Sequence, residues 1–266
     1  MGQAHQRLTR FKEFHPLCCY CGGARPTESI DHAPPRSMFF LDDFRPKGLE
    51  VPACKACHGR FSPFDDLVSV LTQIQAAAFY DDEMLVPRRR WPSIQKRFPN
   101  TFAALAGKGE DIWIQRQGLI KPAVKVAIGG DETRFAVTYF TARMVAALYY
   151  ERCGEPLPLG AYTSCSWTTN FHLQQGQIPH DVVELASDIG WLRQGKRNSI
   201  GQFEHRSRIE NGLGVFVFAL HRAMVLFGFL YGVLEEGESK KDSFDYVTTA
   251  SGIEPVNRGW PINVRY

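Results

Sequence analysis

Apolar residues recur at helical spacing in a segment that follows the first 60 residues. Ser62 and Pro63 match an N-cap and a first-turn proline, and Asp65 would put an acidic group in the first turn. We therefore expect a helix over residues 63–79. The apolar positions on one face of this helix are Leu67, Val70, Leu71, Ile74 and Ala78.

A second long helix is expected where Asp131 and a glycine near position 154 enclose an apolar stripe. Asp131 would cap the start of this helix, and the chain would leave it at Gly154. A shorter helix is expected near residues 181–187. The apolar stripe of the long helix consists of Val137, Phe140, Met144 and Leu148.

Period-2 alternation predicts strands in the second half of the chain. Two strands near residues 112–127 would be joined by a turn at Gly118. Further strands are expected near residues 162–167 and 202–209. Strands and helices are thus interspersed, which is typical of an α+β protein.

The apolar run 213–234 approaches the length of a membrane span. His221 and Arg222 stand at its centre, where charge is costly in lipid. Its valine, phenylalanine and tyrosine content, with several glycines, suits paired strands in a core. We predict two buried strands here and no membrane partner.

Composition divides the chain into three parts. Residues 1–60 are rich in Cys, His, Pro and Gly, as in a small module held by metal. The basic run 87–100, with three prolines, is typical of a connector with short helical pieces. The prediction is an N-terminal zinc module over residues 1–80, a connector over 81–110, and a larger α+β domain over 111–266.

The net charge and the expected cellular location add little to the predicted domain organisation. The net charge of +3 and pI near 8.4 permit nucleic-acid binding without requiring it. The N-terminal sequence has no apolar signal region, so a cytoplasmic location with reduced thiols is expected. A disulfide framework is therefore not expected from the seven cysteines.

Five of the seven cysteines lie in the first 57 residues, and four of them form two C-x-x-C pairs. Cys18 and Cys21 form the first pair, and Cys54 and Cys57 the second. Two such pairs in one small module predict a tetrahedral structural zinc site. A redox role for one pair is disfavoured because neither lies in a βαβ context. The remaining cysteines, expected to be packed thiols, are Cys19, Cys153 and Cys165.

Between the two pairs stands Asp31-His32-x-x-Pro-Arg36, and His58 follows the second pair directly. This order of motifs resembles the four-cysteine branch of the HNH endonucleases over residues 15–70. The resemblance implies a β-β-α-metal fold built around one catalytic divalent ion. It also implies that Asp31 and His58 bind that ion, which the sequence leaves open as Mg²⁺, Mn²⁺, Ni²⁺ or Zn²⁺.

Phosphodiester hydrolysis needs a base for water, a cation and often an arginine on the phosphate. An imidazole can take a proton from water at neutral pH, so His32 is assigned as general base. Strand alternation would direct Asp31 and His32 to opposite sides unless the backbone kinks. Arg36 is the first candidate for a phosphate contact, and Arg60 the second, although each is equally explained as a solvated surface arginine.

Three further features bear on the site. Asp65 and Asp66 could extend the acidic cluster, but helix capping explains them adequately. The run 88–91, Arg-Arg-Arg-Trp, could contact phosphates and stack on a base, or be a solvated linker. The central asparagine of the family has no counterpart in residues 47–52, where Leu49 is nearest.

Together these patterns favour an HNH endonuclease acting on DNA, with a C-terminal domain that selects substrate, partner or signal. Such two-part chains resemble bacterial or phage nucleases used in restriction or defence. The alternative is a non-catalytic zinc module that binds nucleic acid or protein. The oligomeric state stays open, and a homodimer would let one nicking centre cut both strands.

Overall fold

A computed structural model describes most of the chain. The described residues are 2–39, 49–77, 90–107, 109–116, 118–126, 130–174, 176, 184, 186, 188–191, 193–194, 197–199, 201–234 and 244–256. Their helices are α1 (Gln3–Phe14), α2 (Lys55–Ala77), α3 (Trp91–Arg97), α4 (Pro99–Ala106), α5 (Asp131–Cys153) and α6 (Asn170–Gln174), with short 3-10 helices at Cys19–Cys21 and Arg36–Met38.

The strands combine with these helices into a mixed α+β protein. They are β1 (Ser29–Ala33), β2 (Leu49–Ala53), β3 (Glu110–Arg116), β4 (Leu119–Lys125), β5 (Ala161–Thr168), β6 (Asp188–Trp191), β7 (Arg193–Gln194), β8 (Arg197–Asn198), β9 (Phe203–Glu210), β10 (Leu213–Leu220), β11 (Met224–Val233), β12 (Tyr246–Thr249) and β13 (Gly252–Pro255).

Seven of these strands form an antiparallel sheet in the order β13-β12-β5-β11-β10-β9-β6. The long apolar run is the hairpin β10–β11, which confirms the prediction of two buried strands. His221 and Arg222 form its turn with φ near +50° and +54°. Among the described residues, no helix has the length and apolarity needed to cross a membrane.

Helix α5 packs on the sheet and forms the centre of the core. Its predicted apolar stripe is buried, but so are residues on its other faces, including Arg143. The helix approaches β11 closely at Gly228, where an added Cβ would lie 2.2 Å from the Val145 side chain. Gly130 occupies the N-cap position that had been expected for Asp131, and Gly154 ends the helix in a left-handed conformation.

Helix α2 corrects the prediction of a helix over 63–79, because it begins at Lys55 and contains Pro63 in its interior. The Glu28 carboxylate accepts the Lys55 backbone N–H at 2.9 Å and caps this earlier start. Ser62 is therefore not an N-cap, and Asp65 does not lie in the first turn. The helix ends at Ala77 among the described residues.

The other predicted elements are confirmed where the structure describes them. Strands β3 and β4 turn at Gly118 with φ near +81°, and β5 and β9 lie where alternation placed them. The basic connector contains α3 and α4. The helix expected near 181–187 falls almost wholly outside the described residues.

One hydrophobic cluster joins the N-terminal cysteine region, α2, α5 and the sheet. The hairpin β12–β13 returns from the far end of the sequence and packs against the Cys19–Cys21 turn. There, an added Cβ on Gly252 would lie 3.2 Å from the Cys57 sulfur. The N-terminal residues therefore share their core with the rest of the chain.

Candidate metal and catalytic site

Four cysteines near the N-terminus converge on one buried position. Cys18 and Cys21 lie on a tight turn, and Cys54 and Cys57 lie where β2 passes into α2. Their ligand atoms all lie within 4.8 Å of one another. Tetrahedral zinc with bonds of about 2.3 Å would space its sulfurs by about 3.8 Å. The cluster could therefore hold a metal ion such as zinc after a small contraction.

The local backbone explains why these two loops present their sulfurs. Gly22 and Gly23 take positive φ angles of 59° and 76°, as the tight turn after the first pair requires. The Cys57 N–H points at the Cys54 sulfur at 3.5 Å. Hydrogen bonds with Cys18 and Cys57 lower the pKa of Cys21. A thiolate is the form in which cysteine binds metal.

The other three cysteines lie outside this cluster. Cys19 is fully buried, as expected of a packed thiol, and burial raises its pKa well above the ordinary value. Cys153 contradicts that expectation, because it is the last residue of α5 and is exposed to solvent. Cys165 is half-buried in β5.

Next to the cysteines, β1 and β2 form a hairpin whose second strand leads directly into α2. Asp31 lies on β1 and His58 in the first turns of α2. Asp31 Oδ1 and His58 Nε2 are 3.8 Å apart. Two ligands of an octahedral ion with bonds of about 2.1 Å lie about 3 Å apart when cis and about 4 Å when trans. The separation thus fits two ligands of one small cation.

Hydrogen bonding determines which His58 nitrogen faces Asp31. The Ser29 hydroxyl donates to the Ala53 carbonyl at 3.2 Å and lies 3.0 Å from His58 Nδ1. Because the hydroxyl proton is used on Ala53, the hydroxyl accepts from Nδ1–H. His58 Nε2 then presents its lone pair to the side of Asp31, as in metal-binding histidines oriented by a second hydrogen bond.

The second oxygen of Asp31 is bound by groups that the sequence did not identify. Arg143, from the middle of α5, donates to Asp31 Oδ2 from Nη2 at 2.7 Å and from Nε at 3.2 Å. The Tyr20 hydroxyl donates to the same oxygen at 2.7 Å. Burial alone would raise the pKa of Asp31, but Arg143 and Tyr20 hold it below its ordinary value.

Asp65 is the other carboxylate bound by Arg143, through Nη1. This contact replaces the helix-capping interpretation of Asp65. Burial is the main cause that raises the pKa of Asp65, to about 7, against the lowering effect of Arg143. Asp66 instead lies 3.9 Å from Arg90. The only sequence signal for this network was a single arginine within the apolar segment of α5.

His32 and Arg36 lie beside these groups with different exposures. The β1–β2 register is regular through Asp31 and His32, so their side chains alternate across the hairpin. Asp31 is buried and His32 is half-buried. The His32 backbone N–H donates to Asp31 Oδ1 at 2.8 Å, and its carbonyl accepts from Arg143 Nη2 at 3.0 Å. Arg36 is exposed.

No protein-family model, curated protein or solved structure matches this chain. The site must therefore be interpreted from its own geometry.

The other described residues that the sequence offered as nucleic-acid contacts lie against neighbouring parts of the protein. Arg60 lies 4.0 Å from Glu254 on β13 and is partly exposed. Arg90 donates to the Ser37 carbonyl at 3.3 Å, and Trp91 packs edge-on against Phe102 at 5.4 Å. Arg90 and Trp91 are thus packed on the protein, and the two arginines before them lie outside the described residues.

Proposed function

We propose that this chain is a metal-dependent endonuclease of the HNH type that hydrolyses phosphodiester bonds in DNA. One observation carries the proposal: Asp31 Oδ1 and His58 Nε2 face each other at 3.8 Å beside four clustered cysteines. The hairpin β1–β2 followed by α2 has the order of elements that the resemblance implies. The proposal joins this geometry to the motif spacing in the sequence.

Two metal positions have separate tasks in this proposal. The four cysteines would hold a structural zinc and stabilise the loop-rich start of the chain. Asp31 and His58 would hold the catalytic divalent ion, and Ser29 would keep the His58 lone pair directed at it. When bound, such an ion stabilises negative charge on the phosphate and on the leaving oxygen.

His32 would act as the general base. Its half-buried imidazole can take a proton from the attacking water at a ring nitrogen. Because His32 and Asp31 alternate across the hairpin, the proposal requires a phosphate bound at the edge of β1, within reach of both faces. The exposed Arg36, four residues beyond His32, can contact a phosphate oxygen there.

A second candidate function is a non-catalytic zinc module that binds nucleic acid or protein. One observation favours it: Asp31 is buried and ion-paired to Arg143, as a purely structural carboxylate would be. In that case Asp31 would anchor α5 to the hairpin, and His58 would have no ion to bind.

The deciding experiment compares wild type with His32→Ala on supercoiled plasmid in Mg²⁺, Mn²⁺ and Ni²⁺, with EDTA as a blank. His5→Ala, which removes an exposed histidine on α1, is the matched control. All three proteins should have equal zinc content and equal thermal stability. Wild type and His5→Ala should convert the plasmid to nicked or linear DNA, and His32→Ala should be slower by at least about 100-fold.

If the wild type cuts with none of these ions, the non-catalytic module becomes the better description. If His32→Ala cuts as fast as wild type, the assignment of the base is wrong even though the nuclease stands.

A further inference from the structure

We propose that Arg143 is a positioning residue of the ion site, which holds the Asp31 carboxylate so that Oδ1 is presented to the ion. The inference rests on the proposed function, because it concerns how that site is assembled. It assigns a role to α5, which lies outside the N-terminal motif and more than a hundred residues away in sequence.

The two carboxylate oxygens of Asp31 have different partners. Three donors converge on Oδ2, two from the Arg143 guanidinium and one from the Tyr20 hydroxyl. Oδ1 accepts from the His32 backbone N–H and faces His58 Nε2. Rotation of the carboxylate would break the three bonds to Oδ2, so the orientation of Oδ1 is fixed by the groups behind it.

A further bond links Arg143 to the residue proposed as the base. Arg143 Nη2 donates to the His32 carbonyl at 3.0 Å as well as to Asp31. The peptide planes on both sides of His32 are therefore held, one by the bond to Oδ1 and one by the guanidinium. Arg143 thus contacts the side chain of a proposed ligand and the backbone of the proposed base.

Burial and shape explain why an arginine is used here. The Arg143 side chain is 1% exposed, and its guanidinium lies 5.3 Å from the Phe61 ring centre. A planar guanidinium can donate to several acceptors in fixed directions, whereas the Lys ammonium is a single point of charge. The same guanidinium also binds Asp65 through Nη1, so one side chain joins the two carboxylates of the cluster.

An isolated buried ion pair contributes little net stability to a fold. Here the pair lies directly behind a proposed ligand, and its donors select one oxygen. Contacts of this kind behind metal ligands affect metal affinity by about 10- to 100-fold when they are removed. A role in positioning the Asp31 carboxylate therefore explains the buried Asp31–Arg143 pair better than a contribution to the stability of the fold alone.

The test measures Mn²⁺ binding by titration calorimetry on the full chain with its zinc retained. Tyr20→Phe removes one donor to Oδ2 while conserving the ring, and Arg143→Lys conserves the charge but loses the planar fork. The matched controls are Tyr150→Phe, whose hydroxyl bonds His15, and Arg152→Lys, which lies near the end of α5. Zinc content and thermal unfolding are measured for every variant.

Tyr20→Phe should weaken Mn²⁺ binding by about 10-fold and Arg143→Lys by up to about 100-fold, at unchanged zinc content. The controls should bind like wild type. Nuclease assays should show the loss mainly in kcat and little in the KM for DNA, which a loss of folded protein alone would not produce.

If Arg143→Lys folds, retains zinc and binds Mn²⁺ within twofold of wild type, the positioning role is wrong. If Arg143→Lys does not fold, Tyr20→Phe decides instead, and Mn²⁺ binding within twofold of wild type in that variant contradicts the fixed orientation of Asp31. The nuclease proposal survives either result, provided that the wild type binds Mn²⁺ and cuts DNA. A wild type that neither binds the ion nor cuts would overturn both proposals together.

Discussion

His221 is a fully buried histidine in the turn between β10 and β11. Its Nε2 lies 2.6 Å from the Met38 carbonyl, and because a carbonyl can only accept, Nε2 carries the proton. Burial lowers the pKa of His221 to about 4, against the bond to Met38. The bond joins the β10–β11 turn to the segment that follows β1, and burial disfavours the charged imidazole at this position.

This burial makes stability depend on pH. His221 has a lower pKa in the folded chain than in the unfolded chain, so acid favours the unfolded chain. Its contribution should be complete above about pH 6.5 and should fall by about 2 kcal/mol between pH 7 and pH 5. In His221→Asn, which tolerates the left-handed backbone, urea unfolding should show a correspondingly smaller loss over this range. An equal loss in both proteins would contradict the assignment.

At the same scale, sequence spacing identified the four cysteines, and the structure brings them together. It also brings Asp31 and His58 into proximity, whereas the roles of His32 and Arg36 stay predictions. Arg143 could not be found in this way. A single arginine in an apolar segment indicates a buried charge, but the partner lies 112 residues away and local spacing does not reveal it.

At the scale of elements, strands β3–β5 and β9–β11 were predicted because alternation and apolar runs are local properties of the chain, whereas β6–β8, β12 and β13 were not. The start of α2 was not, because its cap comes from Glu28, which is brought there by the fold. Local rules placed Pro63 in the first turn, where a missing N–H has no cost. In the actual helix, Pro63 leaves the Gly59 carbonyl without its usual donor.

Two glycine substitutions have opposite expected effects on stability, one at a close contact between elements and one at an exposed helical position. Gly228→Ala would bring a Cβ to 2.2 Å from Val145, so we expect the free energy of unfolding to fall by about 1–3 kcal/mol. Gly59→Ala, at an exposed position of α2 with no neighbour within 4 Å of the new Cβ, should raise it by roughly 0.5–1 kcal/mol. Urea unfolding measures both, and an unchanged Gly228→Ala protein would show that α5 and β11 can separate without cost.

At the scale of the whole molecule, the cysteine cluster is part of the common core. Besides Gly252 against Cys57, the Tyr139 hydroxyl of α5 donates to the Ile253 carbonyl of β13 at 3.3 Å. The last described hairpin, the central helix and the cysteine loops are therefore packed together. Composition carries no information on which surfaces meet, so these contacts could not be predicted from it.

If the four cysteines hold a metal ion, its loss should also affect the last described hairpin, β12–β13. Cys54→Ser should lower Tm by roughly 10 °C or more and speed amide exchange in α5 and in β12–β13 as well as in the cysteine loops. Cys153→Ser, at the exposed end of α5, is the control and should change neither. Faster exchange confined to residues 18–57 would show instead that the N-terminal region opens alone.

The sequence distance between Asp31 and Arg143 also orders events during translation. Asp31 leaves the ribosome 112 residues ahead of Arg143. A nascent chain that already contains both cysteine pairs, His32 and His58 still lacks the guanidinium that orients Asp31. For a chain that cuts DNA, a copy that ends before α5 would then bind the catalytic ion weakly, and Asp31 would be oriented only after α5 has been made and packed behind it.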